Sequence, residues 1–141
     1  MNISKFTQKS LQAVNECEKI AYEYGNQEIE QEHLLYSLLT QEDSLIWKLI
    51  EKMEINQQHF KGRVENALSR RPKVSGGQAY IGQYLNKTLL GAEDEAKQMG
   101  DEYVSVEHLF LALLKDPSPA MKEIFREYGI TRERFLQALS T

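Results

Sequence analysis

The chain has 141 residues, 41% of them hydrophobic and 27% charged, and 17 basic against 21 acidic side chains leave a net charge of −4 at pH 7. That balance belongs to a folded domain with a buried core, and it lacks the basic excess a nucleic-acid binder needs to displace counterions from phosphates. A lone cysteine, Cys17, excludes an intrachain disulfide. The absence of an 18-residue apolar run argues against a membrane span, and MNISKFTQKS has no signal-peptide core, so a cytoplasmic location is expected.

From the N-terminus, Phe6, Ser10, Val14, Cys17, Ala21 and Tyr24 recur every three or four residues, the period of an amphipathic helix. Thr7 is placed to cap its start, and Gly25 to end it in the left-handed conformation. After the connection NQEIEQ, a second helix is expected near 32–40, with Leu34, Leu35, Leu38 and Leu39 facing inward. A third, around 44–53, carries Leu45, Ile46, Leu49 and Ile50. A fourth, from about 56 to 69, buries Phe60, Val64 and Leu68. RRPKVSGGQAY then reads as a linker by its proline and paired glycines, with Arg70, Arg71 and Lys73 as solvated charges.

Sliding the sequence by 75 positions lays GNQEIEQEHLLYSLL over GDEYVSVEHLFLALL without a gap, identical at Gly25/Gly100, Glu32/Glu107, His33/His108, Leu34/Leu109, Leu38/Leu113 and Leu39/Leu114. The register continues outside that window, with Phe6 on Ile81, Cys17 on Ala92, Leu49 on Ile124 and Phe60 on Phe135. The chain is thus a tandem duplication: repeat one over about 1–69, a linker over 70–80 and repeat two over 81–141. In repeat two the stripe Ile81, Leu85, Leu89, Ala92, Ala96 and Met99 marks the first helix. Ser105 is a better cap for the second helix than its counterpart Glu30. Asp116-Pro117-Ser118-Pro119 breaks the chain before the third. The expected fold is all-α, eight helices in two four-helix units with approximate two-fold pseudo-symmetry and no strands.

No residues with catalytic spacing are found. His33 and His108 each follow a glutamate, yet neither lies in H-E-x-x-H, and two imidazoles fall short of a zinc site. Their recurrence in both copies makes them packing and hydrogen-bonding elements at a helix N-terminus. Cys17 sits on a buried stripe, unavailable as a nucleophile, and SGGQAYIG lacks the ending of a phosphate loop. No catalytic and no metal-binding residue is assigned.

The doubled pattern G-[ND]-x-x-[IV]-x-x-EHL-[LF]-x-x-LL resembles the Clp repeat N-terminal domain of the ring-forming AAA+ unfoldases, and the linker together with GDEYVSVEHLFLALL is most like the ClpB disaggregase branch. The resemblance covers the whole chain. It implies a module without a cofactor of its own, ATP and Mg belonging to ATPase modules elsewhere in a hexameric protein, the isolated domain being a monomer. It implies binding of unfolded or aggregated polypeptide through an apolar groove, with adaptor proteins as further partners; the alternative is an adaptor-docking domain of a ClpC- or ClpA-type unfoldase feeding a protease. Carried over by position, the substrate-binding residues are Thr7, Asp101 and Glu107, with Leu89, Leu90 and His108 in the groove, His108 standing where relatives can carry leucine. Leu90 also lies about 100° round the helix from Leu89, off the apolar stripe, and is expected to be exposed.

Overall fold

The computed structural model describes residues 2–141, and among them the expected eight helices form. A short 3-10 turn (Ile3–Lys5) leads into α1 (Gln8–Tyr24), followed by α2 (Gln31–Thr40), α3 (Leu45–Lys52) and α4 (Gln57–Ser69). After the linker come α5 (Gln83–Gln98), α6 (Val106–Lys115), α7 (Pro119–Tyr128) and α8 (Arg132–Ser140).

The 75-residue register holds in the local chemistry of the helix ends. Thr7 caps α1 through its hydroxyl, which accepts from Ser10 N–H. Asn56 and its counterpart Thr131 likewise cap α4 and α8. Gly25 and Gly100 take φ of 74° and 73°, the left-handed turn in which a residue without Cβ ends α1 and α5.

The two units are tied together by short extended pairings absent from the sequence expectation. β1 (Glu28–Ile29) runs parallel to β2 (Tyr80–Ile81), pairing Ile29 with Ile81, and a single bridge joins Phe6 to Val104. Subtracting 75 from Ile81 gives Phe6, and adding 75 to Ile29 gives Val104. The two pairings are therefore one contact exchanged between repeats, as a two-fold axis requires. Period-2 patterning cannot reveal segments this brief. They form because the residues entering each helix have backbone polar groups that must find partners across the repeat boundary.

The core is continuous through both units and includes Leu34, Leu38, Phe60, Leu109, Phe110 and Phe135. Phe110 stacks on Phe135 with centroids 4.5 Å apart. Cys17 is buried, and burial pushes its thiol up to about 12, which leaves it unreactive. Gln31, fully buried, joins the units: Nε2 donates to Thr88 Oγ1 and to Asp116 O, and Oε1 accepts from Ser118 N–H. The α5 stripe is shorter than its period suggests. Ile81 and Met99 are exposed, because Ile81 lies in β2 ahead of the helix and Met99 is the residue that closes it.

Candidate functional site

At the start of α2 and of α6 a histidine holds the loop that precedes it. His33 Nδ1 accepts from Glu30 N–H at 2.9 Å and Nε2 meets Asn26 Oδ1 at 2.9 Å; His108 Nδ1 accepts from Ser105 N–H at 2.8 Å and Nε2 meets Asp101 Oδ2 at 2.8 Å. An Nδ1 that accepts leaves the proton on Nε2, so both rings are neutral donors toward the seventh residue upstream. The two nodes differ in that upstream partner. Asn26 is buried, whereas the Asp101 carboxylate reaches solvent.

The caps also differ, in the direction opposite to the sequence expectation. The buried Glu30 carboxylate accepts from Gln31 N–H at the start of α2 and crosses to repeat two, accepting from Tyr84 N–H and Leu85 N–H at 3.2 and 3.0 Å. It thereby caps α5, whose own N-cap, Gly82, has no side chain; a Cβ there would stand 1.8 Å from Glu30 Oε1. The reciprocal side-chain contact from Ser105 is present but falls short of a hydrogen bond. Glu30→Ala is therefore expected to cost about 2–3 kcal/mol, since buried N–H groups of two helices lose their acceptor, and Ser105→Ala about 0.5 kcal/mol. Urea melts giving equal losses, or a larger one for Ser105→Ala, would refute this order.

The structure brings Thr7, one of the six sequence-assigned residues, against the loop that runs from Asp101 to Glu107: Thr7 N–H donates to Val104 O at 3.0 Å. Leu90 is 47% exposed on a face of α5 otherwise polar, about 12 Å of helix rise before the end of α5. The two other assignments are corrected. Leu89 and His108 are 2% and 1% exposed: Leu89 is on the stripe packed in the core, and both ring nitrogens of His108 are bonded internally. Neither can touch a ligand while the domain is folded. Sequence reasoning missed Met99 and Tyr103, both exposed beside Asp101. Met99 completes a helical period, and Tyr103 lies in a loop without one.

Arg70 and Lys73 are exposed, as expected of solvated linker charges, but Arg71 is half-buried and ion-paired. Arg71 Nη1 donates to Glu32 Oε2 at 2.9 Å and Nη2 to Glu28 Oε1 at 2.8 Å, with only 4% of the Glu32 side chain exposed. Asn26 Nδ2 donates to Pro72 O, Val74 N–H to Gly25 O and Gln27 Nε2 to Gln78 O. Between this segment and α1 runs a groove of about 920 Å³, bordered by Asn15, Tyr22 and Val74. Among the described residues no cluster of His, Cys, Asp or Glu is arranged to hold a metal ion, and no helix is long and apolar enough to cross a membrane.

Comparison with known proteins follows this geometry. Over 145 residues the chain is 43% identical to a chaperone protein ClpB of Nitratidesulfovibrio vulgaris, and over 144 residues 35% identical to one of Clostridium tetani. Each match takes in 99% of this chain but 17% of the relative, so the chain spans about a sixth of the length of these proteins. The Hsp104 N-terminal domain from Candida albicans shares the fold with a TM-score of 0.82 at 23% identity, over 96% of this chain and 89% of that one. A ClpV N-domain solved in complex with a VipB peptide has a TM-score of 0.73 at 21% identity, over 98% of this chain and 89% of that one. Residues 5–128 match the Clp repeat (R) N-terminal domain, and the chain belongs to that family.

Proposed function

We propose that the chain is the substrate-recognition domain of a ClpB-type, ATP-dependent disaggregase, and that it takes apolar segments of unfolded or aggregated polypeptide on the surface from Leu90 to the corner of Thr7, Asp101 and Glu107. The observation that carries this reading is Leu90, an exposed leucine on a polar helix face. Met99 and Tyr103, two residues to either side of the half-exposed Asp101 in the chain, are exposed as well. Its likeness to ClpB chaperones over 99% of the chain supports the same reading, with ATP and Mg serving modules outside this domain in a hexamer. The domain itself contributes binding and no bond-breaking step. Binding is weak, because ordering a flexible peptide offsets much of the gain from a small apolar contact.

Leu90→Ser is expected to lower affinity for a permanently unfolded protein about tenfold while leaving helical circular dichroism unchanged, since an exposed leucine supports no core and a leucine contact contributes about 1.5 kcal/mol or more. Nitrogen–proton NMR titration reads both affinity and location. Shifted amides clustered around Trp47 would refute the surface. No shift at saturating substrate, combined with binding of a folded adaptor, would favour the docking role of ClpC- and ClpA-type domains.

A further inference from the structure

The inter-repeat segment lies on repeat one as a bound peptide would. Arg71 is ion-paired to Glu32 and Glu28, and three residues on Val74 N–H donates to Gly25 O at 2.9 Å. The Val74 side chain shares the α1 groove with Asn15. Adding 75 to each contact gives its counterpart in repeat two: Glu32 becomes Glu107, Glu28 becomes Tyr103, Gly25 becomes Gly100 and Asn15 becomes Leu90. Among the described residues no chain segment covers these positions. The carboxylate of Glu107 and the carbonyl of Gly100 have no hydrogen-bond or ion-pair partner there, and residues 97–103 are exposed throughout.

We propose that repeat two binds an extended polypeptide in the direction and register that the linker adopts on repeat one, with a basic side chain on Glu107 and an apolar side chain three residues later between Gly100 and Leu90. The proposal rests on the reading that this corner binds unfolded polypeptide, and adds to it the chemistry and polarity of the segment taken. The linker supplies both as a stand-in: its guanidinium neutralises the first-turn glutamate of α2, its backbone N–H satisfies the carbonyl of the left-handed glycine, and its half-exposed valine borders the groove. Repeat two has the sharper apolar element, leucine in place of Asn15. Tyr103, in place of Glu28, offers an aromatic ring where the guanidinium of the stand-in meets its second carboxylate. One contact is lost: Asn26 Nδ2 donates to Pro72 O, whereas the Asp101 carboxylate can only accept, so the corresponding carbonyl of the incoming segment is left to water.

The probe is an end-blocked peptide of the linker's own sequence, RPKVSGGQAY, titrated into the whole 141-residue chain and followed by nitrogen–proton NMR. Amides of Leu90 and of residues 100–107 should shift, and those of 25–32 should not, because the chain's own linker holds that copy. Replacing the peptide's arginine by glutamate, or Glu107→Gln in the protein, should each weaken binding roughly fivefold, the size of a partly exposed ion pair. Replacing the peptide's valine by serine should weaken binding to wild type and leave Leu90→Ser little further affected. Circular dichroism checks that Glu107→Gln remains helical. Peptide binding that ignores both charge changes overturns the proposal, as do shifts centred on repeat one. If a permanently unfolded protein shifts the corner but the peptide does not, the basic–apolar spacing is wrong and the broader function stands. If neither shifts it, both fall.

Discussion

Arg71→Ala is expected to destabilise the domain by about 3 kcal/mol, the low end of the cost of stranding one member of a buried ion pair. Glu32 is the member stranded: its side chain is 4% exposed and Arg71 is its ion-pair partner. Glu28, 44% exposed, can turn to water and loses little. The pairing is also incomplete, since Glu32 Oε1 and Arg71 Nε have no hydrogen-bond partner. Removing both charges should therefore cost much less than removing one: Arg71→Met with Glu32→Gln is expected to recover most of the loss. Urea melts of the single and double variants measure the difference. A loss below 1 kcal/mol for Arg71→Ala would show that water reaches Glu32 freely once the guanidinium is gone.

Stability should fall between pH 6.5 and pH 4 by about 3 kcal/mol through His33 alone. Burial, and after it the nearby Arg71 charge, lowers this imidazole from 6.5 to about 4. The geometry agrees, because protonating Nδ1 would take away the acceptor of Glu30 N–H. A histidine depressed in the folded state binds its proton more readily when unfolded. Its contribution is complete above pH 6.5 and is lost as the pH falls toward 4. His33→Gln, which can accept at one atom and donate at another, should be less stable at neutral pH but lose about one proton's worth of slope across that window. Parallel stability–pH curves for wild type and His33→Gln would exclude the ring as the titrating group. Arg71→Ala should move the window upward, since it removes the second cause of the depression.

Much of this was legible in the residues. The helices stand where the 3.6-residue period puts them, because each has to bury one stripe and pattern alone decides which face that is. The duplication was legible for the same reason: two copies folding alike must repeat their caps, their left-handed glycines and their histidines at one spacing. Leu90 was identified as exposed from its position off the α5 stripe, an inference that needs only the geometry of one helix. The absence of catalytic spacing was likewise a matter of composition and order.

What the tertiary structure alone decided involves residues far apart in sequence. Arg71 reads as a solvated linker charge until α2 places Glu32 beside it, 39 positions away. Glu30 reads as a poor cap because glutamate is not among the preferred N-cap residues, and its bonds to α5 lie 54 and 55 positions on. Leu89 and His108 are of the right residue types for a groove, but burial depends on what packs over a position, and α6 packed against α5 gives both to the core. Local periodicity determines which face of a helix is apolar. Only the docking of one repeat on the other determines which polar group meets its partner, because a charge or a backbone N–H is satisfied by proximity in space and leaves no periodic trace in the sequence.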